Sequence, residues 1–369
     1  MKKNTNIVGY VVLTFLLSIF FQNIFTKDKT FSNIENRHLQ EKPNFSILSL
    51  QNNMYINDLN KYVEDQFAMK TKWMNLKTTF EKSIGIKKIK NIYFGKDKKL
   101  IEEAVIPDED FVSKRIENIY FLKNKYKNIP LRFVLVPNKI SFYKNETTSI
   151  LDQKKLYYDF RNKLGNSYFV TDSYKVLNNH KDEPIFFKTD HHYTSLGAKY
   201  IYENIYNKKD IKYKKYLVNN KFLGTSANQI AYYKNYDKLE IYTKEKDASY
   251  YLTYNDSNTE YTSLYDLKYQ FSSNPYEIYF GGNKGLISIK TDALNKDKLL
   301  IIKDSYANSF IPFILDEYRE ITIVDPRYFY DDIDTIIKEK DINKILLFYN
   351  MNTFFEDTSF DRMINSINK

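Results

Sequence analysis

The chain has no cysteine, a single tryptophan, nine glycines and four histidines in 369 residues. Without thiols there can be no disulfide, no thiolate zinc site and no cysteine nucleophile. Blocks of like charge are missing too. The 56 Lys and Arg are interleaved with 46 Asp and Glu, so the net charge of +10 is scattered along the chain. That pattern reads as a solvated surface; no nucleic-acid partner is expected, because basic footprints cluster on one face or helix. Internal repeats and low-complexity tracts are absent as well. What the chain has is apolar and aromatic content: 43% hydrophobic residues, with 34 Tyr and 27 Phe. This is enough to bury the core of one large α/β domain with an appendage, or of two modest domains. The excess of Tyr, Lys, Asn and Ile matches the codon bias of an A/T-rich genome and is not read as function.

One long hydrophobic run stands at the N-terminus. Lys2 and Lys3 precede an uncharged stretch from Asn4 to Thr26, mostly apolar from Ile7 to Phe25. Nineteen helical residues span roughly 28 Å, close to the hydrocarbon thickness of a bilayer. No small-x-small cleavage pattern follows it, since the local residues are Phe21-Gln22-Asn23-Ile24-Phe25-Thr26. An uncleaved signal anchor over residues 1–27 is therefore expected, with the positive flank inside and the remaining chain outside the cytoplasm. Lys27 and Lys29 weaken that asymmetry. A cleaved signal peptide and a buried core helix are the alternatives.

Residues 28–50 are polar and irregular and read as a linker to a catalytic domain over 51–369. Apolar spacing predicts helices over Asn57–Gln66, Lys70–Ser83 and Asp108–Tyr126. Short continuous apolar runs predict buried strands at Leu131–Val136, Leu299–Lys303, Glu320–Val324 and Lys344–Tyr349. Tyr168–Thr171 and Ile185–Phe187 are shorter candidates. Helical segments are expected over Thr194–Tyr206, Asn308–Asp316 and Asp331–Lys338. The C-terminal βαβαβ pattern implies an α/β fold with a mainly parallel sheet. The Tyr-, Thr-, Ser- and Asn-rich stretch near 220–290 alternates like hairpins and reads as a β-rich insertion.

Two of the four histidines lie in Thr189-Asp190-His191-His192-Tyr193-Thr194, between an expected strand and a helix. In extended chain, residues i and i+2 share a face, which pairs Asp190 with His192 and turns His191 away. A carboxylate beside an imidazole fixes its tautomer, as a general base requires. Ser305, in Ile301-Ile302-Lys303-Asp304-Ser305-Tyr306, stands where a strand turns into a helical segment and is the candidate nucleophile. Two other readings compete: Asp190, His191 and His192 as metal ligands, although no H-E-x-x-H helix accompanies them, or the stretch as an N-cap with polar filler.

At these residues the sequence resembles the DHHW-motif family of exported bacterial proteins, which is related to SGNH-hydrolase-like alginate O-acetyltransferases. Three passages carry the likeness: Glu35-Asn36-Arg37-His38-Leu39 followed by Asp65-Gln66-Phe67; Lys188-Thr189-Asp190-His191-His192-Tyr193-Thr194-Ser195-Leu196-Gly197-Ala198; and Lys303-Asp304-Ser305, in the place of a Gly-Asp-Ser turn. Tyr193 stands where the motif has Trp, and Lys303 where the turn has Gly. The likeness spans Asn33 to Asn352 and is weakest in the insertion.

The resemblance implies an SGNH-like three-layer fold and a triad of Ser305, His192 and Asp190 with no cofactor and no metal. The implied activity is acetyl transfer to hydroxyls of an exported polysaccharide. A multi-spanning membrane O-acyltransferase would be the partner that supplies acetyl groups across the bilayer. Asn138, Tyr193, Tyr306 and Asn350 are candidates for substrate binding or the oxyanion site. A carbohydrate esterase using the same triad, and a catalytically silent envelope scaffold or sugar-binding protein, remain open.

Overall fold

The computed structural model describes residues 2–32, 37–208, 211–255 and 257–367, with side chains from Ile7 onward. It divides into two compact units, Met1–Ile86 with Asn228–Tyr233, and Lys87–Ala227 with Lys234–Lys369.

The first unit begins with helix α1 (Lys2–Phe25), followed by α2 (Met54–Gln66) and α3 (Lys70–Ser83). Within α1, the 19 residues Ile7–Phe25 are long and apolar enough to cross a membrane, and none is buried. Exposure of that whole apolar surface excludes a core helix, since a core helix would bury one stripe at least. Asp65, at the end of α2, accepts two bonds from Arg37, at 2.8 and 2.5 Å, and one from Gln40 N–H. Gln66 pairs with both the N–H and C=O of Lys29. The first motif passage is thus a clamp that ties an extended segment to α2. Glu35 and Asn36 of that passage lie outside the described residues. Gly85, at φ +91°, follows α3 in the left-handed region that only glycine enters freely, and closes the helix.

The second unit is built on a six-stranded sheet. Among its helices are α4 (Glu109–Lys125), α5 (Gln153–Leu164), α6 (Ser195–Ile205) and α7 (Ile333–Glu339). Its longer strands are β1 (Leu131–Val136), β2 (Tyr213–Phe222), β3 (Asp237–Lys244), β4 (Tyr250–Tyr254), β5 (Leu286–Thr291), β6 (Lys298–Lys303), β7 (Glu320–Val324) and β8 (Lys344–Asn350). The sheet order is β1-β8-β6-β7-β5-β4. The first four strands are parallel, and β5 and β4 extend them antiparallel.

Alternation along the strands fills a core on each face. Val134, Ile301, Ile323 and Phe348 join one cluster with Ala198, Ile201 and Tyr202 of α6. Phe133, Leu300, Ile302 and Leu347 join the other with Ile119 of α4, Phe160 of α5 and Ile336 of α7. This burial on both faces is why the four parallel strands read as unbroken apolar runs.

Four segments differ from expectation. Tyr168–Thr171 and Ile185–Phe187 each contribute one isolated bridge, Phe133 to Phe169 and Phe186 to Tyr193, and no ladder. The segment over 308–316 is two 3₁₀ turns, Ser305–Ser309 and Ile311–Ile314, and not an α-helix. Pro312 explains the break: it has no N–H to donate and its ring would clash with the carbonyl four residues back. At the expected insertion, β3 pairs antiparallel with β2, which lies mostly ahead of it, in a separate two-stranded sheet, but β4 and β5 belong to the main sheet.

Candidate active site

The motif segment reaches its geometry through a turn and not through an extended strand. Residues 188–192 are bends. Asp190 Oδ1 accepts from His192 N–H at 2.9 Å and from His192 Nδ1 at 2.6 Å. A carboxylate reaching the backbone two residues on is an Asx turn, a conformation Asp favours. It pairs the same two residues that strand alternation selects, but leaves His191 beside His192, with ring centroids 3.9 Å apart.

The other oxygen, Asp190 Oδ2, accepts from Thr225 N–H at 2.8 Å and Thr225 Oγ1 at 3.0 Å. All four near lone-pair sites of a fully buried carboxylate are therefore occupied. Burial opposes its charge, yet the charge and hydrogen bonds of His192 hold Asp190 well below the usual carboxylate range. Gly224 packs directly on it: a Cβ there would lie 2.2 Å from Asp190 Cβ and 2.6 Å from Oδ2. Behind the turn, Asp237 accepts from Lys188 N–H, Thr189 N–H and Thr189 Oγ1. Buried Lys139 donates to Asp190 O and Leu100 O, and burial lowers its ammonium to about 8.

Ser305 opens the 3₁₀ turn that follows β6. Its Oγ lies 2.8 Å from His192 Nε2, joining residues 113 apart in sequence. Asp304 repeats the Asx turn, accepting from Tyr306 N–H, while its second oxygen accepts from Asn350 N–H and Nδ2. Burial raises the Asp304 carboxyl to about 6. Tyr276 stacks on the His192 imidazole at 4.0 Å and 14°, and its hydroxyl donates to Ser305 O. Burial, reinforced by His191, pushes His192 down to about 4, against the pull of Asp190. The imidazole is therefore neutral at neutral pH, with a lone pair at Nε2 toward Ser305.

The remaining candidates sit one layer behind. Tyr193 donates to Tyr306 O; Tyr306 donates to His191 O; Asn138 donates to Tyr306 Oη and Asn350 Oδ1; Asn350 donates to Asp304 and Thr353. Each is 5% exposed or less and spends its polar atoms on the protein, so these four hold the Ser305 and His192 segments in register. Lys303 is buried, with its ammonium on Asn308 Oδ1 and Asp325 Oδ2, and Arg327 grips Asp325 from the other side. A lysine fits where a glycine was expected because its side chain has this buried counter-ion. Ligand atoms of Asp190, His191 and His192 lie within 4.8 Å of one another. A cation there would displace the bonds these atoms already make to one another, to Ser305 and to Thr225.

Gly224, Thr225, Asp237 and Tyr276 were not singled out from sequence. They come from the Tyr-rich stretch, and one signal was available: with only nine glycines in the chain, Gly224 beside Thr225 marks a close approach. A cleft of about 860 Å³ flanks the motif at Lys188 and Thr194, lined also by Tyr143, Phe186, Asp237 and Tyr242.

The DHHW protein family model matches residues 138–324, which include Asp190, His192 and Ser305. The chain belongs to the DHHW family. Among solved structures it is similar to a DHHW family protein from Eubacterium siraeum DSM 15702, at 22% identity and a TM-score of 0.59, covering 74% of this chain and 94% of that one. It is similar also to Bacillus cereus PatB1 with a sulfonyl adduct, at 23% identity and a TM-score of 0.61, covering 74% and 99%. The O-acetyltransferase domain of Pseudomonas putida AlgJ is more distant, at 12% identity and a TM-score of 0.46, covering 75% and 99%. No curated protein matches this chain. The likenesses to the Eubacterium siraeum protein and to PatB1 establish the fold: an α/β domain around a mostly parallel sheet.

Proposed function

We propose that this DHHW protein is an extracytoplasmic O-acyltransferase that passes an acetyl group to hydroxyls of an exported polysaccharide through an acyl-serine on Ser305. The observation that carries the reading is the continuous line Ser305 Oγ, His192 Nε2, His192 Nδ1, Asp190 Oδ1, with separations of 2.8 and 2.6 Å. It has the order nucleophile, base, orienter.

In the first step His192 Nε2 takes the Ser305 proton while Oγ attacks the acyl carbonyl of the donor. Asp190 stabilises the imidazolium through Nδ1–H. As the tetrahedral intermediate collapses, the same proton goes to the leaving group. The N–H of Ser305, first in its 3₁₀ turn, has no partner inside that turn and is a donor for the oxyanion. In the second step an acceptor hydroxyl gives its proton to His192 and attacks the acyl carbon; the bond to Ser305 Oγ breaks, and Oγ regains the proton. Acetyl as the acyl group and polysaccharide as the acceptor rest on the family resemblance. So does a membrane-bound O-acyltransferase as the partner that delivers the donor.

The test is to incubate the protein with p-nitrophenyl acetate and sugar oligomers, then map acetyl groups by mass spectrometry. Acetylated Ser305 and acetylated sugar are the expected products. Acetylated Ser305 with only free acetate makes the protein an esterase. A chain unmodified by acetyl donors and by sulfonyl fluorides has no acyl-serine chemistry and is a scaffold.

A further inference from the structure

The reaction just described leaves one imidazole of the site unused. His191 stands beside His192, and its side chain is 27% exposed against 6% for His192. Its Nδ1 is 2.6 Å from Thr225 Oγ1, the same hydroxyl that lies 3.0 Å from Asp190 Oδ2.

Donor arithmetic fixes the protons. An ionised carboxylate only accepts, so the single hydroxyl proton of Thr225 goes to Asp190. Thr225 Oγ1 must then accept from His191, and His191 Nδ1 is the protonated nitrogen. In the neutral ring Nε2 keeps its lone pair, and it has no hydrogen-bond partner among the described residues; the nearby carboxylate oxygens of Glu102 and Asp190 lie on the Nδ1 side, at 4.0 and 3.9 Å from that nitrogen. Asp190 therefore orients two imidazoles in the same tautomer, His192 directly and His191 through Thr225. The site offers two ring-nitrogen acceptors on adjacent residues, one turned to Ser305 and one free.

The attacking hydroxyl has one proton, and His192 takes it. A second acceptor alongside has a use only if the acceptor molecule brings a second hydroxyl next to the first. We propose that His191 is the residue that selects a vicinal diol: its Nε2 accepts a hydrogen bond from the sugar hydroxyl adjacent to the one being acylated. This inference rests on the acyl-transfer reading. A simple alcohol leaves that lone pair unpaired in the reacting complex, and a site built to bond a hydroxyl rejects an analogue lacking it.

The experiment measures how one acyl-enzyme partitions. The full chain is acetylated with p-nitrophenyl acetate in the presence of a methyl glycoside bearing a vicinal diol, its deoxy analogue lacking one of the two hydroxyls, or a monohydric alcohol. The ratio of transferred acetyl to free acetate is then read for each, and it does not depend on how much acyl-serine forms. The parent should favour the diol over the deoxy sugar by at least about tenfold. His191→Ala and Thr225→Val should erase that preference, and Thr225→Ser, which keeps the hydroxyl, should restore it. A diol preference unchanged in His191→Ala overturns the proposal, as does an equal loss of transfer to the monohydric alcohol. A parent acyl-serine that yields only acetate overturns it too. No acyl-serine in the parent overturns the acyl-transfer reading first, and is told apart by the absence of acetyl on Ser305.

Discussion

Asp190 Oδ1 takes two hydrogen bonds from one residue, His192: one from its backbone N–H and one from its imidazole Nδ1. The backbone bond fixes where the carboxylate sits, and the ring bond fixes which nitrogen carries the proton. Orientation and tautomer are thus set by a single turn of three residues.

Changing Asp190→Asn should lower ester turnover by about 10³–10⁴-fold, because an amide supports the wrong tautomer. His192→Ala should be at least as severe. His191→Ala should cost less than either, since its ring makes no bond to Ser305. Steady-state rates with p-nitrophenyl acetate check the order; an essential His191 with a dispensable His192 would sink the assignment. Loss of turnover on chelation, restored by zinc, would favour the metal reading instead.

Ser305→Ala should abolish acyl turnover yet leave the thermal midpoint within about 2 °C of the parent, since a hydroxyl at a turn leaves no core cavity. Differential scanning fluorimetry alongside rate measurement tests both halves. Retained turnover removes Ser305 from the mechanism.

Gly224→Ala should damage the site through packing alone. Its Cβ would overlap Asp190, and relief needs a shift of the carboxylate, so a destabilisation of about 1–3 kcal/mol is expected with a larger loss of activity. Denaturant melts and ester turnover, compared with an alanine at exposed Gly9, give the contrast. A fully active Gly224→Ala would show that the loop does not press on Asp190 as described.

The pH dependence follows from His192, held near 4 by burial. As a base it stays neutral down through the usual histidine range, so the acid limb of turnover should fall well below pH 6.5. The sign for stability is the same: the unfolded imidazole protonates near 6.5 and the native one only near 4, so native stability is lost as pH falls across that window. His192→Gln removes this contribution. The stability of the parent relative to the variant should fall as the pH drops from 7 to 4. The difference is the useful quantity because Asp304, raised to about 6, gains stability from protonation in the same window. An acid limb at 6.5 or above contradicts the burial of His192.

The 19-residue apolar helix predicts that the protein stays with membranes at full-length mass and resists carbonate extraction. Protease added to wall-stripped cells should degrade the rest of the chain. A chain beginning at Lys27 should be soluble and keep esterase-type turnover. A shortened form in the medium would mean that the segment is cleaved, and full protection from protease would place the domain inside the cell.

Much of the frame was legible from the residues in order. Parallel strands buried on both faces must be apolar throughout, so Leu131–Val136, Glu320–Val324 and the strands before Ser305 and after Asn343 were readable as short runs. Asp190 and His192 were readable as a pair because two residues of separation bring side chains together in a strand and in an Asx turn alike. The order of elements and the spacing of Asp, His and Ser needed nothing beyond local rules.

What local rules do not contain was decided by tertiary structure. The contact of His192 with Ser305 spans 113 residues, and the Thr225 bonds to Asp190 span 35. Such contacts form only once the two-faced core has chosen its strand order. The antiparallel β4 and β5 look like hairpin material in sequence, and they join the main sheet because Leu252, Ile287 and Ile289 are buried there. Asn138, Tyr193, Tyr306 and Asn350 have the chemistry of ligand-binding groups. Burial assigned their hydrogen bonds to the protein itself, since a polar atom taken out of water must find its partner inside the fold.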